Sequence, residues 1–397
     1  MFLANITLLS NGHGEDAIGA LLGLEVCEVR PDLHVRAYPL VGTGDSYEEA
    51  GFEVLGPRRV MPSGGLTLHS ASMLRRDLCA GFVGLTLRQW SDLKRLETDI
   101  LIVIGDIYAQ LQSALVKTKC RFVYQALVSA LHGRGRPKGG MRRVFMEVFT
   151  PLERMLMSRL AERVYVRDVE TKSHLRGMGL AKVEFLGNPI LDAADGNPIS
   201  CLTKKGFSVV LLPGSRDYAV SALGTMLASL VKTRTLSGAV AWSGGELPRF
   251  PGWRTESGNG VGGLKAVLHN QDKEVWVFED RFYDLLAGAQ VVLGTAGTAH
   301  EQAAGLGIPI ITFPVPPYYT EAFLINQRRL LGPALTISRA DPDEIASHLL
   351  RFRYNKGDRD IAAHAGRLRM GPSGGSRAIV RDIITRAVDM GVLSQKN

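Results

Sequence analysis

Short, nearly continuous apolar runs alternate along this chain with stretches of helical periodicity. Leu3 to Ser10 reads as a strand that ends in Asn11-Gly12-His13-Gly14, and Asp16 to Arg30 reads as the helix after it. Val35 to Leu40, Phe52 to Leu55, Ile100 to Ile104, Phe122 to Gln125, Val164 to Val166 and Val183 to Phe185 are further strands of the first half. The pattern restarts at Phe207 to Leu212 and continues through Gly238 to Trp242, Val275 to Phe278, Val291 to Leu293 and Ile308 to Phe313. Helical stretches separate these strands, notably Arg281–Gly288, Ala299–Leu306 and Glu321–Leu331. Apolar strands without polar alternation are buried on both faces, as in parallel sheets covered by helices. The polar, turn-rich stretch Asp192 to Lys205 reads as a linker. The fold class is therefore α/β, with two Rossmann-like, doubly wound parallel-sheet domains at 1–191 and 206–375. A last helix, 376–397, is placed to cross back to the first domain.

Composition narrows this picture. The chain has 397 residues, of which 45% are hydrophobic, enough to bury two large cores. No apolar run reaches the ~20 residues of a membrane span. Met1 to Ser10 has neither the basic region nor the cleavage pattern of a secretory signal. Cys27, Cys79, Cys120 and Cys201 lie far apart and form no CxxC pair, which suits a reducing cytosol better than a disulfide framework or a zinc site.

Charge changes the picture again. Residues 51–150 carry 15 Lys and Arg against 7 Asp and Glu, an excess equal to the net charge of +8 of the whole chain. A local basic surface is expected there, rather than a generally basic protein.

Ligands of such sheets bind beyond the C-terminal strand ends, and three strand-to-helix turns there are rich in glycine. Gly12-His13-Gly14-Glu15-Asp16-Ala17 matches GxGxxA formally. The second strand ends Ala37 to Gly42 without the acid a dinucleotide ribose needs, and Glu15 and Asp16 repel phosphate, so NAD and FAD are disfavoured. Leu211-Leu212-Pro213-Gly214-Ser215-Arg216 offers backbone N–H groups and a guanidinium, a stronger anion site. Gly294-Thr295-Ala296-Gly297-Thr298 lets a phosphate approach a helix start, and Glu301 and Gln302 supply acceptors for sugar hydroxyls. No Walker lysine follows any of these turns. A nucleotide-sugar pocket in the second domain is the reading these residues support.

These residues resemble a known family. LLPGSR at 211–216 is similar to the motif of lipid-A-disaccharide synthases. The segment from Gly294 to Pro314 resembles the nucleotide-sugar segment of those enzymes, of the lipid-II-forming N-acetylglucosaminyltransferase and of UDP-GlcNAc 2-epimerases. Gly187-Asn188-Pro189 matches the turn before the linker of the lipid A enzymes. The chain looks most similar to the lipid-A-disaccharide synthase-related branch. The resemblance implies a GT-B architecture, two domains facing a cleft, with UDP-sugar in the second domain and the acceptor in the first. It implies a hexosyltransferase acting at the cytoplasmic membrane face without a metal. The first turn and the turn Gly105-Asp106-Ile107-Tyr108 depart from the synthase patterns GEASGD and GIDAPDFN, and these changes fall in the acceptor half.

Inverting transfer needs a base for the acceptor proton, neutralisation of the leaving diphosphate and a grip on the donor sugar. Asp106, after a buried strand, is the first candidate base, and His13, Glu15 and Asp16 compete with it. Gly214, Ser215, Arg216, Gly294, Thr295, Gly297 and Thr298 would meet the diphosphate. Glu301, Gln302, Asn326 and Gln327 would contact donor hydroxyls, the last two as similar positions do in the family. No cofactor and no metal is expected beyond the UDP-sugar substrate.

The basic quarter holds two amphipathic stretches, Leu66 to Leu96 and Met141 to Leu160, around a glycine-rich basic loop. Arg75, Arg76, Arg134, Arg136, Lys138, Arg142 and Arg143 would touch an anionic membrane or a lipid-linked acceptor. No nucleic-acid motif is present. The expected partners are a UDP-sugar, a lipid or glycolipid acceptor and the inner membrane face, to which a cytoplasmic protein would bind peripherally. Two alternatives remain: a UDP-GlcNAc 2-epimerase-like isomerase, and a catalytically inactive nucleotide-sugar-binding protein.

Overall fold

The computed structural model describes residues 4–59, 78–79, 81–133, 148–193, 196–199, 208–214, 218–233, 236–258, 261–317 and 319–395. The chain divides into two compact units, one of 1–192 with 373–397 and one of 193–372. Each unit is a sheet covered on both faces.

The first unit holds β1 (Ala4–Ser10), β2 (Leu33–Pro39), β3 (Glu53–Val54), β4 (Glu97–Ile104), β5 (Lys117–Gln125), β6 (Arg163–Val166) and β7 (Val183–Glu184). Their order is β3-β2-β1-β4-β5-β6-β7, and every pairing is parallel. Along β4, Ile100, Ile102 and Ile104 enter one core while Leu101 and Val103 enter the other. This two-sided burial is why the strand reads as an unbroken apolar run. Helices α1 (His13–Val29), α2 (Asp45–Glu49), α3 (Phe82–Leu93), α4 (Ile107–Ser113), α5 (Pro151–Leu160) and α6 (Val169–Gly177) complete the layers.

The second unit holds β8 (Ser208–Leu212), β9 (Ser237–Ala241), β10 (Arg254–Ser257), β11 (Leu264–Asn270), β12 (Lys273–Phe278), β13 (Val291–Gly294), β14 (Ile310–Thr312) and β15 (Leu335–Ile337). Its order is β10-β11-β12-β9-β8-β13-β14-β15. The sheet is not parallel throughout: β10 and β11 are antiparallel additions beyond β12. The sequence reading missed both. All four residues of β10 are exposed, so no apolar run marks it. The helices of this unit are α7 (Ala219–Lys232), α8 (Phe282–Ala287), α9 (Thr298–Gly305), α10 (Glu321–Leu331), α11 (Pro342–Tyr354) and α12 (Lys356–Met370). Of the linker stretch, Gly196 lies against the backbone of Tyr283, and the Asn197 amide donates to Asp284 Oδ1 at 2.7 Å, both within the second unit.

The last helix, α13 (Gly375–Asp389), packs on α1 through Ile379, Val380, Ile383 and Ala387, which share one core with Ile18, Leu22 and Val26. Asp192 anchors its start, accepting from the Gly374 and Ser376 amides at 2.5 and 2.6 Å. Tyr165 on β6 donates to Asp382 Oδ2 at 2.7 Å.

Strand order reverses once in each sheet. In the first unit the switch lies between β1 and β4, and in the second between β8 and β13. Loops leaving the strands at such a point diverge to opposite faces and open a crevice. Of the described candidate residues, Glu15, Asp16 and Asp106 follow β1 and β4, and Gly214, Gly294, Thr295, Gly297 and Thr298 lie at or after the ends of β8 and β13, whereas Asn326 and Gln327 lie on α10. Among the described residues, no helix is long and apolar enough to cross a membrane.

Candidate functional site

At the switch point of the first unit, β1 delivers Ser10 and Asn11, the first turn of α1 delivers Glu15 and Asp16, and β4 delivers Asp106. Asp106 caps α4, with Oδ1 accepting from the Tyr108 amide at 3.0 Å and from Asn11 Nδ2 at 3.4 Å. An N-cap carboxylate is fixed in orientation by the helix it starts, which suits a group that must meet an incoming hydroxyl. Glu15 is 5% exposed and Asp16 1%. Burial, and then the charge of Asp106, push the Glu15 carboxyl up to about 8, so it holds its proton at neutral pH. Burial also raises Asp16 to about 7, against a lowering hydrogen bond from Ser10. That bond belongs to a chain in which Tyr47 Oη donates to Ser10 Oγ at 2.9 Å and Ser10 Oγ donates to Asp16 Oδ1 at 2.5 Å. Asp16 thus points into the layer between α1 and α2. His13 begins α1, and its side chain lies outside the described residues.

A further carboxyl, unremarked in the sequence, lies close by. Glu153, in the first turn of α5, is buried and accepts from Gln125 Nε2 at 2.7 Å. Burial raises its carboxyl to about 7, and the charge of Asp106 adds to the rise. Within this amphipathic stretch the apolar Leu152 and Met155 are exposed, and Glu153 is buried. Its signal was its place at the third position of a helix begun by Thr150-Pro151, the usual site of a capping acid.

At the switch point of the second unit, the loops after β8 and β13 are tied together. The Thr295 amide donates to the Leu212 carbonyl at 2.9 Å, and Thr295 Oγ1 donates to the Pro213 carbonyl at 2.9 Å. Tyr218 Oη donates to the Thr295 carbonyl at 3.1 Å. Gly214 has φ +86°, and a Cβ there would stand 3.2 Å from the Thr295 carbonyl oxygen. Thr295 is fully buried, so its hydroxyl serves the loop. Thr298, at the start of α9, is exposed and Gly297 half-buried. The start of α9 therefore presents backbone amides that the helix itself does not satisfy, and a positive dipole end.

Beneath that loop lies a buried polar network that the sequence did not disclose. His300 is fully buried, and burial lowers its imidazole to about 4, so it is neutral. Its Nδ1 is 3.3 Å from Gln327 Oε1. An amide oxygen only accepts, which makes Nδ1 the protonated nitrogen. Gln327 Nε2 donates to the Ala296 carbonyl at 2.9 Å and to the Gly297 carbonyl at 3.3 Å. Tyr319 Oη stands 2.9 Å from the Ala296 carbonyl and 3.0 Å from Gln327 Oε1. With its carbonyls drawn inward, the loop turns its amides the other way. Gln327, expected at the donor hydroxyls, thus has its amide committed to the loop. Asn326 accepts from Arg329 at 3.0 Å. Gln302 Nε2 donates to Tyr283 Oη at 2.8 Å, and Glu301 is half-buried beside it.

Ser215, Arg216 and all seven basic residues assigned to the membrane (Arg75, Arg76, Arg134, Arg136, Lys138, Arg142 and Arg143) lie outside the described residues. Among the described residues, no group of three or more His, Cys, Asp or Glu is placed to hold a metal ion.

No protein-family model matches the chain, and no curated protein matches it. Solved structures do. The calicheamicin glycosyltransferase CalG4 matches with a TM-score of 0.63 at 14% identity, over 100% of both chains. The glycotransferase of kitacinnamycin matches with a TM-score of 0.58 at 14% identity, over 96% of this chain and 98% of that one. The UDP-GlcNAc 2-epimerase of Neisseria meningitidis, solved with UDP-GlcNAc bound, matches with a TM-score of 0.52 at 14% identity, over 96% and 99%. At such identities the likeness is one of fold. The chain has the two α/β domains of the GT-B glycosyltransferase fold, shared by sugar-transferring and UDP-sugar-epimerising enzymes.

Proposed function

We propose that this chain is a UDP-sugar-dependent glycosyltransferase of the lipid-A-disaccharide synthase kind, transferring a hexosamine or hexose with inversion to a lipid-linked acceptor. The observation that carries the reading is the carboxylate of Asp106, held by its helix at the switch point of the first unit near the buried Glu15. A transferase needs such a base for an acceptor hydroxyl. Asp106 takes that proton, the freed oxygen bonds to the anomeric carbon, and the bond from that carbon to the diphosphate breaks with its electron pair on UDP. The new negative charge on UDP falls to the amides of Gly214 and of the Gly297–Thr298 turn, and to Arg216. In this reading no metal takes part.

The lipid nature of the acceptor rests on apolar side chains exposed on neighbouring helices of the first unit. Val83, Leu87 and Trp90 on α3, Leu111 on α4, and Leu152 and Met155 on α5 are each 41–56% exposed. The basic residues of 51–150 flank them in sequence. Apolar insertion with a basic surround suits a peripheral contact with anionic lipid.

The experiment is a screen of UDP-sugars for binding, followed by transfer assays with membrane lipid extracts and the Asp106→Asn variant. The reading expects UDP binding to persist in that variant and transfer to be lost. Wild-type turnover by Asp106→Asn would remove the base and with it the mechanism. The epimerase likeness gives the second reading its footing. Incubation with UDP-GlcNAc alone separates the two, because only an isomerase forms the manno epimer without an acceptor. Donor that binds but is neither transferred, epimerised nor hydrolysed would leave the inactive binding protein.

A further inference from the structure

A cavity lies within the second unit beside its edge strand. It has a volume of about 440 Å³ and is lined by Arg328, Pro333, Thr336, Ile337, Arg351, Phe352, Asp358 and Ile361. None of the residues assigned to the nucleotide sugar lines it. It runs beside β15, the edge strand of the sheet, between α10, α11 and α12.

Its charges do not balance. Arg351 is partly satisfied: Nη2 donates to Thr336 Oγ1 at 3.1 Å, and Nε lies 3.5 Å from Asp358 Oδ2. The Arg351 guanidinium also lies 4.8 Å from the centre of the Phe352 ring, which fixes its plane. Arg328 has no hydrogen-bond or ion-pair partner among the described residues. Partial burial, and then the charge of Arg351, lower its pKa. Two guanidiniums therefore face one cavity that holds a single carboxylate. The other walls, Pro333, Ile337, Phe352 and Ile361, are apolar.

We propose that this cavity is a binding site for an organic anion, a phosphate monoester with an apolar body, and that it is separate from the nucleotide-sugar site. The phosphate would bridge Arg328 and Arg351, relieving their repulsion and giving Arg328 the acceptor it lacks. The apolar body would lie on Ile337, Phe352 and Ile361. The volume falls in the range of small-molecule sites, about 300–1,000 Å³. Arginine suits this task better than lysine, because its planar fork meets two phosphate oxygens at once. The proposal does not depend on the transferase reading.

The test uses the full chain and phenyl phosphate as probe, followed by calorimetry in the presence of saturating UDP, with benzyl alcohol as the neutral control. The expected result is saturable binding of phenyl phosphate in the millimolar range or tighter, with none for benzyl alcohol. Arg328→Gln should weaken it about ten-fold, the loss expected for a charged hydrogen bond. Arg328 is exposed and has no hydrogen-bond or ion-pair partner among the described residues, so this variant should unfold at the wild-type temperature. Arg351→Gln is the second variant and should also weaken binding. To separate a soluble ligand from a lipid headgroup, vesicles of phosphatidylcholine with and without phosphatidic acid are compared. Arg328-dependent capture by phosphatidic acid identifies a lipid source, and binding of phenyl phosphate alone a soluble one. Absence of saturable binding in both arms would overturn the proposal. So would binding abolished by UDP, or binding equal in the wild type and in both arginine variants.

Discussion

Gln327 Nε2 donates to the carbonyl oxygen of Ala296 at 2.9 Å, joining α10 to the loop that starts α9. Tyr319 Oη stands at the same distance from that oxygen. One carbonyl thus has two donors, and either can satisfy it alone. Gln327→Leu and Tyr319→Phe should each lower stability by about 1 kcal/mol. The double variant should cost more than the two together, because only then is the Ala296 carbonyl buried without a donor. UDP affinity should fall in parallel, since the network sets the direction of the loop amides. Chemical denaturation of the four proteins in a double-mutant cycle measures the coupling, and strict additivity would detach Tyr319 from the network.

The same loop makes Gly294 irreplaceable for steric reasons. A Cβ there would stand 2.4 Å from His300 Nε2 and 3.1 Å from the Leu212 Cβ. His300 is enclosed and held by Gln327, so it has no room to retreat. Gly294→Ala should destabilise the protein by about 1–3 kcal/mol, as overpacking does elsewhere. Thermal unfolding checks this. Relief of the defect in the double variant Gly294→Ala, His300→Ala would locate the clash.

Glu15 gives the protein a pH dependence whose sign follows from its environment. Its carboxyl ionises near 4.5 when exposed and near about 8 in the fold. Below 4.5 both states hold the proton. Between 4.5 and about 8 the unfolded chain releases it while the native state keeps it, so stability falls as pH rises through that window and then levels. Glu15→Gln has no proton to lose and should gain stability relative to wild type across the same interval. Asp106→Asn removes the second cause of the shift, so the window should narrow from its upper end. Denaturation midpoints at several pH values, compared among the three proteins, provide the readout. Parallel curves for wild type and Glu15→Gln would show that Glu15 ionises normally.

Much of the fold was legible because parallel strands buried on both faces carry apolar runs. Ile100 to Ile104 and Val209 to Leu212 are such runs. Of the antiparallel additions, β10 escaped because Arg254–Ser257 is exposed along its whole length, and β11 because only Ala266 and Leu268 of it are buried, so it carries no continuous apolar run. The glycine turns at 213–214 and 294–298 were legible because close backbone approach restricts residue type locally. The support beneath them was not. His300, Tyr319 and Gln327 meet through tertiary structure, and no spacing in the sequence announces a hydrogen bond between α9 and α10. Glu153 was hidden differently. It sits among arginines and apolar residues, and only the packing of α5 shows which side faces inward.

The exposed apolar residues of α3 lead to a last expectation. Leu87 and Trp90 are 56% and 44% exposed, while Leu85, Gln89 and Leu93 of the same helix are buried. Substituting the exposed pair therefore leaves the core intact, and Leu87→Asp, Trp90→Asp should unfold close to the wild-type temperature. If this face enters a lipid surface, wild-type protein will sediment with vesicles containing anionic lipid and be released by salt, because the basic segments around α3 supply the long-range attraction. The double variant should bind about ten-fold more weakly, since fully burying one large apolar side chain is worth about 1.5–3 kcal/mol and an interface buries only part of each. Trp90 offers a direct probe, as an indole that leaves water for the headgroup region shifts its emission to the blue. Vesicle binding unchanged by the substitutions would mean that charge alone draws the protein to lipid. Absence of binding even at low salt would remove the membrane from the proposed function.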